Sequence, residues 1–141
     1  MLTARTSELE LHTVWQDSDP DAARVSPAFP INHYTGAADS AVVYFEVAPG
    51  EHLPTHTDSE EEILYIVAGK GEAEAGDERA PVQAGDLAVI PAMVPHGVRN
   101  TGDETLKVVG FFSGSKIVSN FEEPLQPLGV AEIEMGAPVP A

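Results

Sequence analysis

Residues 50–69, GEHLPTHTDSEEEILYIVAG, and residues 85–100, GDLAVIPAMVPHGVRN, determine how this chain is interpreted. Both blocks place imidazole or carboxylate side chains on sequence of β type between turn-forming residues. Side chains two residues apart share one face of a strand, so His56 and Asp58 should point the same way. If the two blocks face each other across a barrel, His96 joins this pair, and the sequence then predicts a metal site.

Glu62 is a further acidic candidate, although it lies four residues after Asp58, about 13 Å along a straight strand. It can reach the same ion only if the chain folds back, and the residues between the two carboxylates are turn formers that favour such a bend. Pro91 and Pro95 mark strand ends in the second block, where a side chain can be aimed into a cavity. We therefore expect His96 to arrive from a separate strand.

The sequence on both sides of these blocks is typical of an all-β domain. Turn signals separate segments of about five to eight residues, and residues 40–47 and 105–113 are rich in β-branched and aromatic side chains. We predict a single domain of about six to ten antiparallel strands, closed into a barrel that can hold a small ligand. Its predicted parts are an N-terminal edge strand and loop (residues 1–35), the barrel (residues 36–121) and an irregular Pro- and Gly-rich tail (residues 122–141).

Composition limits the partners and the metal ligands. The chain of 141 residues has 7 basic and 23 acidic residues and a formal net charge of −16, which disfavours binding to nucleic acid or anionic membranes. It has no cysteine, so imidazole and carboxylate are the only strong metal ligands. The first residues lack the apolar core of a secretory signal, and no apolar run approaches the length of a bilayer span. We therefore expect a cytoplasmic protein without membrane contact.

The two blocks resemble the two conserved motifs of the cupin superfamily. The first resembles G(X)5HXH(X)3-4E(X)6G, and its matching positions are Gly50, His56, Glu62 and Gly69. The second resembles G(X)5PXG(X)2H(X)3N, and its matching positions are Gly85, Pro91, His96 and Asn100. Two positions depart from the pattern, because Asp58 stands where the first motif has its second histidine and Met93 stands where the second has a glycine.

This resemblance implies a double-stranded β-helix, the cupin or jelly-roll barrel, with His56, Glu62 and His96 as metal ligands and Asp58 in the place of a fourth. Whether Asp58 binds the ion or caps its own turn stays open. Two imidazoles and two carboxylates neutralise a divalent ion, which favours Fe²⁺ or Mn²⁺ over Zn²⁺ or Ni²⁺.

A second interpretation of the ligands uses the HxD…H arrangement of His56, Asp58 and His96, which resembles the facial triad of non-haem iron oxygenases. Glu62 would then be a neighbouring base. The branch of that class that uses 2-oxoglutarate also needs a cation to hold the co-substrate. Arg99, three residues after His96, should face away from the metal, so we disfavour that branch.

The function that these residues and the resemblance imply is a metal-dependent enzyme acting on a small organic substrate. The superfamily includes dioxygenases, isomerases, lyases and cyclases, and the sequence does not choose among them. Asp58 would be a ligand or a general base, and Tyr44 or Tyr65 would supply a proton. Tyr44 is also a candidate for lining the cavity, as are four other residues that we interpret first as barrel packing: Leu64, Ile66, Met93 and Val98. The alternative is a non-catalytic binding or sensing module. The superfamily often dimerises through its sheets, so we predict a homodimer.

Overall fold

Short runs of β-branched and aromatic residues between glycine- and proline-containing turns form twelve strands in the computed structural model, which describes residues 1–138. The strands are β1 (Val14–Trp15), β2 (Arg24–Ile31), β3 (Ala41–Val47), β4 (His52–Asp58), β5 (Glu62–Ala68), β6 (Lys70–Ala75), β7 (Glu78–Gln83), β8 (Leu87–Ile90), β9 (His96–Asn100), β10 (Leu106–Phe112), β11 (Val118–Leu125) and β12 (Val130–Glu134). Two short 3-10 helices span Thr6–Glu8 and His33–Thr35.

The strands form two six-stranded antiparallel sheets. The first sheet has the order β1-β2-β3-β10-β5-β8 and the second has the order β12-β11-β4-β9-β6-β7. Strands that are neighbours in the sequence often lie in different sheets, as β4 and β5 do, because the chain crosses repeatedly from one sheet to the other. The predicted all-β class and the jelly-roll architecture are therefore confirmed.

The core lies between the two sheets and is built by alternation along each strand. On β5, Leu64 and Ile66 are each only 2% exposed, and they pack against fully buried residues of β10 such as Leu106 and Val108. Burying a large aliphatic side chain contributes about 1.5–3 kcal/mol. This continuous apolar layer holds the two sheets together and therefore positions the polar side chains that lie between them.

The N-terminal region differs from the predicted edge strand and loop over residues 1–35, because the eight-residue strand β2 (Arg24–Ile31) lies within it. The prolines within it suggested a turn. The carbonyl of Pro27 accepts a hydrogen bond from the His12 N–H, so it points away from β3. The nitrogen of a strand residue points to the same side as its carbonyl, so pairing with β3 does not need the N–H that proline lacks.

The predicted irregular tail is wrong for much of its length. Strand β11 continues to Leu125, and β12 pairs antiparallel with it, so the tail forms one edge of the second sheet. Pro124 suggests a break, but it lies between Asn120 and Leu125, where the register of β11 with β12 shifts, so its missing N–H is not needed for pairing. Residues 139–141 of the predicted tail lie outside the described residues. Among residues 1–138, no helix is long and apolar enough to cross a membrane.

Candidate metal centre

Three of the predicted ligands converge on the inner face of the second sheet. His56 and Asp58 share one face of β4, and His96, the first residue of β9, is paired with His56 across the strands. The His96 Nε2 atom lies 3.0 Å from the Asp58 Oδ2 atom, and the His56 Nε2 atom lies 3.5 Å from it. All three side chains are buried, and their ligand atoms lie within 4.8 Å of one another.

Glu62 approaches this group from the opposite sheet. Strand β4 ends at Asp58 and β5 begins at Glu62, so the chain folds back between them as the sequence predicted. The Glu62 Oε1 atom lies 3.3 Å from the His96 Nε2 atom, and the residue is 3% exposed. The tightest group is therefore His56, Asp58 and His96, with Glu62 beside His96.

Backbone carbonyls orient both imidazoles. The Nδ1 atom of His56 lies 2.9 Å from the Pro54 carbonyl oxygen, and the Nδ1 atom of His96 lies 2.9 Å from the Val94 carbonyl oxygen. A carbonyl accepts but cannot donate, so each Nδ1 carries the proton when the ring is neutral and each Nε2 presents a lone pair. These contacts select the tautomer that a metal ion needs.

Two buried atoms of the centre lack hydrogen-bond partners. The Asp58 Oδ2 and His96 Nε2 atoms are close, but their geometry does not form a hydrogen bond, and neither has another partner. Buried polar atoms are rarely left unpaired. Two ligands that bind one ion at about 2.1 Å and at right angles lie about 3 Å apart, as these two atoms do. The residues therefore fit a divalent metal ion held by nitrogen and oxygen donors.

Burial and mutual contact shift the pKa values of the centre in different directions. Burial alone would raise the pKa of Asp58, but the adjacent imidazoles of His56 and His96 hold it well below its usual range. Burial raises the pKa of Glu62, and the nearby His96 offsets this only in part. Burial alone would lower the pKa of His96, but Asp58 and Glu62 raise it to about 10. A divalent ion would compete with protons at His96 and Glu62.

Ser119 and Phe121 of β11 support the β4 ligands and were not predicted. They lie opposite Asp58 and His56 in the antiparallel register. The Ser119 hydroxyl donates a hydrogen bond of 2.6 Å to the Asp58 Oδ1 atom, which leaves Oδ2 directed at the histidines. The Phe121 ring stacks on the His56 ring with 4.6 Å between centroids. Only the strand register brings these residues to the site, and the sequence contains no signal for that register.

Gly110 was also missed, although a signal for it exists. It lies on β10, paired with Val43 and Leu64, and a Cβ atom there would collide with the Glu62 Oε2 atom and crowd the Val43 side chain. An isolated glycine inside a strand often marks such a close approach. Gly110 therefore provides the space that the Glu62 carboxylate occupies.

The structure does not bring Tyr44 or Tyr65 to this centre. Tyr44 lies on the opposite face of β3 from the core residues Val43 and Phe45, and its hydroxyl donates a 2.6 Å hydrogen bond to Glu46. Burial and then Glu46 raise the pKa of Tyr44 above its usual value. Tyr65 is 40% exposed on the outer face of β5. Strand alternation thus contradicts the assignment of these tyrosines as proton donors at the site.

Met93, which stands in place of the motif glycine, keeps the backbone conformation that a glycine would favour. Its φ is 65°, in the left-handed region, and its N–H donates a 2.8 Å hydrogen bond to the Asp58 carbonyl. The turn between β8 and β9 therefore fixes the backbone of a ligand. Its side chain is 59% exposed, so Met93 does not line a cavity, and Leu64, Ile66 and Val98 belong to the packed core.

A cavity of about 820 Å³ lies beside the metal centre and reaches it at His56, Glu62 and Ser119. Residues 9–14, 27–30 and 133–137 line the side away from the centre, so both terminal regions help to enclose it. This volume is within the range of small-molecule sites. The arrangement combines convergent metal ligands with a space for an organic molecule.

Comparison with known proteins agrees with this geometry. The family model described as Cupin domain matches residues 43–112. Protein SchB of Streptomyces halstedii is 35% identical over 52% of this chain and 54% of its own length, and Polyketide synthase CurC of Streptomyces cyaneus is 36% identical over 43% of this chain and 40% of its own length. The chain therefore spans about half the length of these relatives.

Solved structures share the fold at low sequence identity. A protein from Thermotoga maritima, described as a predicted oxalate decarboxylase, matches 80% of this chain and 99% of its own with a TM-score of 0.68 and 20% identity. The Bacillus subtilis oxalate decarboxylase, described as having Mn(II) centres, matches 70% of this chain and 28% of its own with a TM-score of 0.63 and 22% identity. At these identities the likeness establishes the fold alone.

Proposed function

Because the chain belongs to the cupin superfamily, we propose that it is a metal-dependent enzyme that acts on a small organic molecule in the cavity. The observation that carries this proposal is the convergence of two imidazoles and a carboxylate beside a cavity of about 820 Å³. Two of the buried atoms that could bind an ion, Asp58 Oδ2 and His96 Nε2, have no hydrogen-bond partner. The name of CurC, a polyketide synthase, supports an organic substrate of low molecular mass.

In this proposal His56, Asp58 and His96 hold the ion. A divalent ion at this position supplies polarisation of a carbonyl or enolate oxygen, or activation of O₂. The Pro54 and Val94 carbonyls keep the two Nε2 atoms available, and the Ser119 hydroxyl fixes the Asp58 carboxylate. The Asp58 carboxylate favours Fe²⁺ or Mn²⁺ over Zn²⁺ or Ni²⁺, and the Mn(II) centres of a structural neighbour support this choice.

Glu62 is the group best placed to move a proton. It lines the cavity, whereas Asp58 does not, and burial raises its pKa. A carboxyl group with a raised pKa can deliver or accept a proton near neutral pH. We therefore assign acid–base chemistry to Glu62 and ligation to Asp58, which was predicted as a ligand or a general base.

Elemental analysis of the natively purified protein, followed by removal and return of Fe²⁺ or Mn²⁺, tests the metal. Oxygen uptake with diketones and phenols tests the oxygenase chemistry, and product analysis of the same mixtures without O₂ tests isomerase or lyase chemistry. We expect Glu62→Gln to retain the metal and to lose turnover. A folded protein that binds no divalent ion would instead favour the non-catalytic binding module.

A further inference from the structure

The cavity beside the metal centre contains no lysine or arginine among the residues that the structure describes. All 7 basic residues of the chain lie within the described range, and every one of them is elsewhere. Arg99, for example, is exposed on the outer face of β9, as predicted. The acidic residues that line the cavity are Glu10, Glu62 and Glu134, and the histidines are His12 and His56.

The remaining wall is largely apolar, with three aromatic rings. Phe29 on β2 and Phe121 on β11 are half-buried. Phe45 on β3 is 3% exposed and belongs to the core. Phe121 already stacks on the His56 imidazole. Aromatic rings favour flat partners that stack against them or meet their edges. Polar side chains lie at two places in the cavity: His56, Glu62 and Ser119 at the metal centre, and Glu10, His12, Thr13 and Glu134 on the terminal segments.

An anionic ligand would meet unfavourable electrostatics in this space. It would leave water without a lysine or arginine to pair with, in a chain whose formal net charge is −16. Burying an unpaired carboxylate costs several kcal/mol. At the centre, the Asp58 carboxylate would offset part of the charge of a divalent ion, and the carboxyl group of Glu62 lies beside the same position, so the ion would attract a further anion less strongly.

We propose that the cavity selects an uncharged, conjugated ring compound with a hydroxyl or carbonyl oxygen, and that it discriminates against small carboxylic acids. This inference rests on the proposed function, because it assigns the substrate class of the same site. It separates this chain from the structural neighbours described as oxalate decarboxylases, since oxalate is a small dianion.

A matched pair of probes tests the selectivity. 2-Naphthol and 2-naphthoate have the same bicyclic ring, but at neutral pH only the second is charged. Titration calorimetry on the full chain stripped of metal isolates the cavity from the ion. We expect 2-naphthol to bind at least about tenfold more tightly than 2-naphthoate, and oxalate not to bind. Equal or tighter binding of 2-naphthoate, or binding of neither ring compound, would overturn the proposal without affecting the evidence for a metal centre.

Two pairs of variants locate the binding. Phe29→Ala removes an aromatic wall and should weaken 2-naphthol binding about tenfold, whereas Phe111→Ala, which removes an exposed ring outside the cavity, should not. Thr13→Lys places a cation in the cavity and should strengthen 2-naphthoate binding about tenfold. Thr101→Lys makes the same charge change at an exposed position elsewhere and should have no such effect. If both lysine variants strengthened binding equally, net charge rather than the cavity would control selectivity.

Discussion

The two faces of β5 differ in a way that reverses the usual distribution of polar and apolar residues. On the inner face, Glu62 is 3% exposed, whereas on the outer face Ile63 and Tyr65 are 44% and 40% exposed. Charged groups are normally exposed, and large apolar patches on a surface normally mark an interaction site. The comparison indicates that one strand serves two purposes, a buried polar centre on one side and an apolar contact surface on the other.

The largest expected effect is on the inner side, where His96 contacts both carboxylates. His96→Ala should reduce metal affinity by more than the 10- to 100-fold that loss of an outer partner costs, because it removes a direct ligand. Metal content after dialysis against Mn²⁺ measures this, and circular dichroism checks that the β fold persists. His12→Ala removes an exposed histidine at the cavity wall and should retain the ion. Full metal content in His96→Ala would exclude His96 from the site.

Gly110→Ala tests whether the inner face requires the space beside Glu62. The added methyl group collides with the Glu62 carboxylate and crowds Val43, so we expect a loss of about 1–3 kcal/mol in unfolding free energy, together with weaker metal binding. Urea unfolding of the metal-free protein measures the first effect. Gly102→Ala is the matched control, because the nearest atoms to its added Cβ belong to the flexible Lys70 side chain, which can move. Equal stability of the two variants would contradict the packing argument.

Ser119→Ala removes the hydroxyl that fixes Asp58. A buried hydrogen bond to a charged acceptor contributes about 1.5–3 kcal/mol, and loss of an outer partner weakens metal binding about 10- to 100-fold. We expect a loss of metal affinity near the lower end of that range, about 10-fold, because Asp58 retains its contacts with the histidines. Isothermal titration with Mn²⁺ measures it. Ser113→Ala, at an exposed position, should bind Mn²⁺ like the unmodified chain.

The inner face could be predicted well from the sequence, because its determinants are local. Spacing along β4 placed His56 and Asp58 on one face, and the prolines around β9 correctly marked where His96 enters. The position of Glu62 could be predicted from the turn-forming residues between Asp58 and Glu62, which fold the chain back. The support of these residues by Ser119 and Gly110 depends on the register of β4 with β11 and of β5 with β10. Register between distant strands is set by packing that no local pattern records.

The misplaced elements have the same physical origin. Prolines in β2 and β11 suggest breaks, but the backbone of Pro27 points away from β3, and Pro124 lies where the pairing of β11 with β12 is interrupted, so neither missing N–H is needed. Tyr44 and Tyr65 were assigned by residue type, whereas alternation puts both on the face away from the core. Alternation determines which residues share a face, but the packing of the two sheets determines which face is buried.

The outer face is expected to matter for association rather than for metal. Large exposed apolar side chains lie side by side on three strands of the first sheet: Phe111 on β10, Ile63 and Tyr65 on β5, and Leu87 and Val89 on β8. Two copies of a chain with a net charge of −16 can approach most readily through such a surface. The homodimer remains a prediction, and this surface is where we expect it to form.

Ile63→Glu should halve the particle mass measured by light scattering after gel filtration. Each protomer would place a negative charge in the interface, and the two charges would be buried and would repel each other. Stability of the fold should change by less than about 0.5 kcal/mol, as is usual for an exposed position. Val130→Glu introduces the same charge at a site of similar exposure on β12 and should leave the mass unchanged. A monomeric unmodified chain, or dissociation by Val130→Glu as well, would rule out this surface as the interface.

The smallest effect is expected at Met93, whose side chain is exposed and whose N–H donates a hydrogen bond to the Asp58 carbonyl. Its left-handed conformation costs a residue with a side chain about 1–2 kcal/mol, and glycine avoids that cost but loses about 0.5–1 kcal/mol through the greater freedom of the unfolded chain. Met93→Gly should therefore raise the unfolding free energy by about 0–1.5 kcal/mol, measured from the urea midpoint. Met93→Ala keeps the Cβ and should gain nothing. Since the Met93 N–H still reaches the Asp58 carbonyl in either variant, metal affinity should not change, and a change would mean that the turn positions the ligand through the Met93 side chain.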